Sequence, residues 1–177
     1  MYFKKLVGTK CYLSPIDIND AEKYTEWLND QEVVKYLPLN HFALSINNEK
    51  DFLQNLVKDH NYAIIDLSTN TLLGNIGINN YDSIYQSAEI GIFIGNKEYW
   101  NKGYGTEAMK LLIAYGFDKL NLHSITLCTH EKNKWAIKCY EKIGFKKVGE
   151  YRERILVNQK YENLVIMDIL LKDFIRL

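Results

Sequence analysis

The sequence predicts an α/β fold in the α+β sense: one mixed, mostly antiparallel central sheet of about seven strands, flanked by about four helices. Three observations carry this. Apolar runs bounded by turn residues give strand signals at 10–14, 62–67, 72–79, 88–94, 124–129, 147–157 and 161–171. Apolar residues three and four apart give helix signals at 18–29, 46–59, 104–120 and 134–143. Ser68-Thr69-Asn70-Thr71 and Val157-Asn158-Gln159-Lys160 read as hairpin turns, whereas helices follow strands elsewhere, so hairpins and helical connections share one sheet. A chain of 177 residues with 47% apolar content is long enough to bury one sizeable core, and a single domain over residues 1–177 is expected.

Each helix has an apolar face. The first aligns Ala21, Tyr24 and Leu28, with Asp17 placed to cap it. The second aligns Phe52, Leu53, Leu56 and Val57 behind Ser45 as its cap. The third repeats Met109, Leu112, Ile113, Gly116, Phe117 and Leu120 at three-and-four spacing. The fourth carries Ala136, Ile137, Tyr140 and Ile143. Asn133 is placed to cap its start, and Gly144 to make the left-handed turn that ends it, with apolar Phe145 following. Cys128, in an apolar strand, reads as a core residue.

Composition excludes several classes. Twenty-two basic residues balance 22 acidic ones, so the basic excess of a nucleic-acid binder is missing. The opening Met1-Tyr2-Phe3-Lys4-Lys5-Leu6 lacks the apolar run of a signal peptide, and no stretch approaches the ~20 apolar residues of a membrane span. Cys11, Cys128 and Cys139 are odd in number and show no paired spacing, which suits reduced thiols and a cytoplasmic protein. His41, His60, His123 and His130 show no metal-ligand spacing, and no metal is expected.

The stretch Trp100-Asn101-Lys102-Gly103-Tyr104-Gly105-Thr106 stands between the strand signal at 88–94 and the third helix. A glycine turn opening a helix lets the backbone approach a ligand closely. The first amides of a helix have no partner one turn back, so they can donate to a phosphate. Glycine also opens turns for structural reasons alone, just as Asn133 serves as a cap and Tyr140 as packing. The loop lacks the Gly-Lys-Ser/Thr ending of a nucleotide-hydrolase P-loop.

Together these segments resemble the GNAT acetyltransferase superfamily. Residues 100–106 are similar to its Gln/Arg-x-x-Gly-x-Gly/Ala pyrophosphate loop, with Trp100 in place of Gln or Arg. The run Asn133…Ala136…Tyr140-Glu141-Lys142-x-Gly144-Phe145 is similar to its later Asn-x-x-Ala…Tyr-Glu-Lys-x-Gly-Phe segment. Tyr12-Leu13-Ser14-Pro15, Trp27-Leu28-Asn29-Asp30-x-Glu32-Val33 and Ala88-Glu89-Ile90-Gly91 look like the ribosomal-protein N-terminal acetyltransferase branch. The resemblance implies the GNAT fold and transfer of an acetyl group from acetyl-CoA to an amine. The amides of Lys102, Gly103, Tyr104, Gly105 and Thr106 would hold the diphosphate. Backbone groups of Ile92, Phe93 and Ile94 would pair with the pantetheine arm, which Asn133 would also touch.

Chemistry at the amine requires a base, and departure of the thiolate is helped by an acid. Tyr140 matches the family position of the acid. For the base, Glu89 is the candidate, at the start of the cofactor strand on the face shared with Gly91 and Phe93. A solvated structural glutamate is the competing reading, and His130, Glu131 and a water chain are the alternates. A non-catalytic acyl-CoA sensor of the same fold would keep Gly103, Gly105 and Asn133 but would not need Tyr140 or Glu89. The acceptor is left open among a protein N-terminus, an amino acid, a polyamine and an aminoglycoside. The stretch with Asn29, Asp30, Tyr36 and His41 is expected to shape its pocket. Related enzymes are often dimers, so a homodimer is compatible with the resemblance.

Overall fold

A two-residue strand, β1 (Leu6–Val7), opens the computed structural model, which describes residues 1–38, 42–157 and 159–176. It is followed by β2 (Cys11–Pro15), α1 (Ala21–Leu28), α2 (Ile46–Leu56), β3 (His60–Asp66), β4 (Leu72–Asp82) and β5 (Ser87–Ile94). Then come α3 (Tyr104–Lys119), β6 (Ser124–His130), α4 (Lys134–Ile143), β7 (Lys146–Val157) and β8 (Lys160–Leu170). The hydrogen-bonded strand order is β1-β2-β3-β4-β5-β6-β8-β7. The eighth strand, beyond the seven expected, is β1, too short to leave an apolar run in the sequence. The chain forms two compact units, Met1–Asn79 with Gly91–Leu112, and Asn80–Ile90 with Ile113–Leu177.

In the first unit, β1, β2, β3 and β4 pair antiparallel in succession. The turn after β3 forms where expected. Asp66 accepts from the amides and hydroxyls of Ser68 and Thr69, and Asn70 takes a left-handed φ of 60°. Asp17 caps a 3-10 turn at Ile18–Asp20, so the α-helix begins at Ala21, three residues later than the sequence suggests. α1 buries Ala21, Tyr24, Trp27 and Leu28, and the first three share one core with Leu53 of α2 and with Tyr12, Ala63 and Ile65. Ser45 caps α2 as expected, accepting from the Asn48 amide at 3.2 Å. The buried face of α2 is rotated from the expected one. Glu49 and Leu53 are buried one turn apart, and Phe52 and Val57 are exposed.

A long-range tie fixes the start of α3. The buried carboxylate of Glu107 accepts from the amides of Thr9, Lys10 and Cys11 (2.8–2.9 Å) and from the Thr9 hydroxyl (2.6 Å). Burial alone would push its pKa up, but these donors outweigh burial and hold it down at about 2. Glu107→Ala strands four donors and is expected to cost about 3 kcal/mol, read by urea unfolding at neutral pH. In the wild type, the stabilisation is complete above pH 4.5 and is lost as pH falls toward 2.

In the second unit, β5 pairs parallel with β6 through Ser87↔Ser124, Ala88↔Ile125 and Glu89↔Thr126. β8 pairs antiparallel with both β6 and β7. The β7–β8 register runs to Val157↔Lys160, which flanks the expected turn; Asn158 lies outside the described residues. Cys128 is exposed rather than buried, because alternation along β6 puts Ile125 and Leu127 inward and Cys128 on the other face. α4 spans the expected residues. Asn133 accepts from the Ala136 amide (3.3 Å), and Gly144 ends the helix at φ 119°. A Cβ on Gly144 would lie 2.2 Å from the Asp173 carbonyl oxygen, so both conformation and space require glycine. Among the described residues, no helix is long and apolar enough to cross a membrane.

Candidate active site

The first unit brings Ile92 and Ile94 beside Gly105 of the 102–106 loop, while Phe93 packs on Tyr24 and Trp27. The parallel ladder of β5 on β6 covers residues 87–89 only, so one edge of residues 92–94 lies outside it. Trp100, where the family has Gln or Arg, donates its indole N–H to the Ile94 carbonyl at 2.7 Å and so staples the loop to the strand end. Gly103 has φ +87°, a conformation disfavoured for residues with a Cβ. A Cβ there would approach nothing closer than the Lys10 ammonium, at 3.8 Å, so the space in front of the turn is open. Tyr104 and Gly105 open α3, where amides lack acceptors one turn back.

Two lysines flank this turn. Lys10 donates to the Lys102 carbonyl at 3.0 Å, and the Lys102 ammonium lies 5.8 Å from the Tyr99 ring centre. The Tyr104 hydroxyl donates to Asp66 at 2.6 Å, which pushes its pKa up to about 12 and keeps it a neutral wall of the loop. Open space, the amides of Tyr104 and Gly105 at the helix start and neighbouring cations together fit a diphosphate.

The second unit carries Glu89, His130, Glu131, Asn133 and Tyr140. Glu89 accepts from the Asn80 side-chain amide at 3.0 Å; partial desolvation of the otherwise exposed Cys128 thiol, then the Glu89 charge, raises that thiol's pKa. His130 is buried, with Nδ1 3.9 Å from Glu162; burial lowers its pKa more than Glu162 raises it. Glu131 accepts from the Asn163 amide at 3.3 Å. Asn133 spends its side-chain oxygen on the helix cap, leaving its NH₂ as the group that can reach a ligand. The Tyr140 ring packs 5.9 Å from Phe145, and its hydroxyl makes no hydrogen bond among the described residues. Burial, then the neighbouring Cys139, pushes the Tyr140 pKa up, so the phenol holds its proton at neutral pH.

A cavity of about 220 Å³ lies in the first unit against Gly91, Ile92 and Phe93. From the stretch expected to shape the acceptor pocket it takes Leu37 and Pro38, and from α1 it takes Tyr24 and Leu28. Asn29 instead ties Leu44 to α1, and Asp30 pairs with Lys97 at 2.7 Å, so both serve the local structure. Tyr36 is half-buried outside the lining, and His41 lies outside the described residues.

The sequence model of the acetyltransferase (GNAT) domain matches residues 10–146. The chain belongs to the GNAT acetyltransferase family. It is 30% identical over 148 residues to "Uncharacterized N-acetyltransferase p20" of Bacillus licheniformis, covering 80% of this chain and 82% of that one. It is 28% identical over 169 residues, 90% of each chain, to "Putative ribosomal N-acetyltransferase YdaF" of Bacillus subtilis, in keeping with the ribosomal branch. Its fold superposes on the spermidine N-acetyltransferase of Vibrio cholerae, solved in complex with CoA and spermine. That match has a TM-score of 0.83 and 22% identity, over 94% of this chain and 98% of the other. The chain is thus an acetyltransferase of an acetyl-CoA-dependent family.

Sequence reasoning missed three residues here. Lys10 beside the turn and Glu107 beneath it sit more than ninety residues apart in sequence from their partners, and no local pattern announces such pairs. Glu49 lines the cavity. Its signal was present, since it falls one turn before Leu53 on α2, but charged residues at such positions usually face water.

Proposed function

We propose that this GNAT domain, spanning residues 1–177, moves the acetyl group of acetyl-CoA directly to a primary amine. The observation that carries the reading is the open turn at Gly103, followed by the amides that start α3. Acetyl-CoA supplies an activated thioester, so no acyl-enzyme is needed. The amides of residues 102–106, with Lys102 and Lys10 as flanking cations, hold the diphosphate. The β5 edge at residues 92–94 accepts the pantetheine arm as an added strand, and the Asn133 NH₂ contacts the same arm.

A lysine-like amine has a reference pKa near ~10.4, so only about one molecule in two thousand is neutral at pH 7. In this reading, Glu89 takes the amine's proton directly or through water, and Tyr140 gives its proton to the departing sulfur. Glu89→Gln is expected to lower turnover several-fold at neutral pH, and less at pH 9, where more amine is already free. Acetyl-CoA affinity should stay near wild type. A pH–rate profile identical to wild type would pass the role to His130, Glu131 or water.

The acceptor is a primary amine: a protein N-terminus, an amino acid, a polyamine or an aminoglycoside. Support for the first comes from the ribosomal relative, and for the polyamine from the Vibrio enzyme's fold. Calorimetry with acetyl-CoA, followed by a free-thiol release assay across these four classes, tests the reading. Binding with release on one class is the expected result. Failure to bind acetyl-CoA would overturn it.

A further inference from the structure

We propose that the cavity of the first unit is the acceptor site, and that the Glu49 carboxylate is the counter-ion that binds a cationic alkylamine there. This rests on the acetyltransferase reading and names the group that selects its substrate. Glu49 is 2% exposed, yet it lines an open cavity. Among the described residues no hydrogen bond or ion pair reaches its carboxylate. A buried carboxylate is normally paired, because leaving one charged and unpaired is costly. The missing partner is best supplied by a ligand.

The rest of the lining says which ligand. Asn75 and Asn79 add side-chain amides that make no hydrogen bond among the described residues. Amide oxygens and a carboxylate suit a group with several N–H donors. Leu28, Phe52 and Leu56 add apolar wall for an alkyl stem. Among the described residues the lining holds no lysine, arginine or histidine, so an anionic acceptor would meet there a carboxylate rather than a cation. The cavity also reaches Ile92 and Phe93, the strand read here as the pantetheine edge, which sets an amine beside the donor.

Burial pushes the Glu49 pKa up to about 7. The groups nearby are no help in ionising it. Tyr24 of α1 donates to the Gly74 carbonyl at 3.3 Å and stays protonated, and Asp20, in the 3-10 turn packed against α2, is another acid. Amine affinity should therefore follow Glu49 ionisation, rising about tenfold from pH 6 to pH 8, while a ligand of reference pKa ~10.4 stays cationic throughout. Stability runs the other way. A carboxyl whose folded pKa is raised costs stability as pH climbs from 4.5 to about 7, so Glu49→Gln should melt progressively higher than wild type between pH 5 and pH 8.

The experiment is calorimetric titration of 1,4-diaminobutane, and of a tripeptide with a free N-terminus, into wild type, Glu49→Gln and Glu49→Asp at pH 6, 7 and 8. Acetyl-CoA titrations run on each protein. Expected results are diaminobutane affinity at least tenfold lower in Glu49→Gln with the pH slope gone, and a retained slope with partial affinity in Glu49→Asp, which keeps the charge. Tighter binding of the tripeptide, still dependent on Glu49, would keep the counter-ion and identify a peptide N-terminus as the amine. Wild-type amine affinity and slope in Glu49→Gln, or no binding of either amine to wild type, would overturn the inference. Failure of acetyl-CoA to bind wild type would instead overturn the acetyltransferase reading, and amine binding through Glu49 would stand without it.

Discussion

Tyr140→Phe is expected to slow acetyl transfer by about 10²-fold, near the lower end of what general acid catalysis contributes. A thiolate with a reference pKa near ~8.5 leaves fairly well unaided, which sets the lower end. The structure separates this outcome from a packing role. The hydroxyl makes no hydrogen bond among the described residues, so removing it breaks none. The ring and its 5.9 Å contact with Phe145 remain in phenylalanine. Melting temperature and acetyl-CoA affinity should therefore hardly move. Burial keeps the phenol protonated through the working pH range, as a proton donor requires. Single-turnover rate and thermal melting, measured on the same variant, decide the matter. A wild-type rate would return the proton to solvent and leave Tyr140 as packing.

Legibility followed the range of the interaction. The limits of α4 could be read because its signals are local: Asn133 caps an amide three residues on, and Gly144 makes the one left-handed turn that stops the helix. The turn after β3 could be read for the same reason, since Asp66 binds Ser68 and Thr69 next to it. The glycine turn that opens α3 could be read because glycines and a helix start lie within seven residues. Trp100, a departure from the family pattern, became intelligible only in three dimensions, through its bond to the Ile94 carbonyl. Glu107 and Glu49 escaped the sequence reading for different reasons. The four donors of Glu107 come from a turn nearly a hundred residues upstream. Glu49 breaks the rule that charges on an amphipathic helix face water, and such departures from local consistency tend to mark functional positions.

Gly103→Val should reduce acetyl-CoA affinity by about 10²-fold or more while leaving a folded protein, the largest effect expected of any binding variant. Two costs must be kept apart. The first is conformational: φ +87° is poorly tolerated by a β-branched residue, and holding it costs on the order of 1–2 kcal/mol of stability. The second concerns space. The nearest atom to a new Cβ is the Lys10 ammonium at 3.8 Å, so the valine meets no wall of protein and projects into the opening where a phosphate would approach the amides. Gly105→Ala is the control. Its Cβ would rest 3.8 Å from Ile94 and 3.9 Å from Ile92, ordinary contact on a helical backbone. It should therefore keep both fold and binding. A ligand at 100 times its Kd stabilises the native state by about 2.7 kcal/mol, so the thermal shift on adding acetyl-CoA reads affinity directly. That shift should vanish in Gly103→Val and persist in Gly105→Ala. A full shift in the valine variant would move the diphosphate away from this turn, and with it the observation on which the function rests.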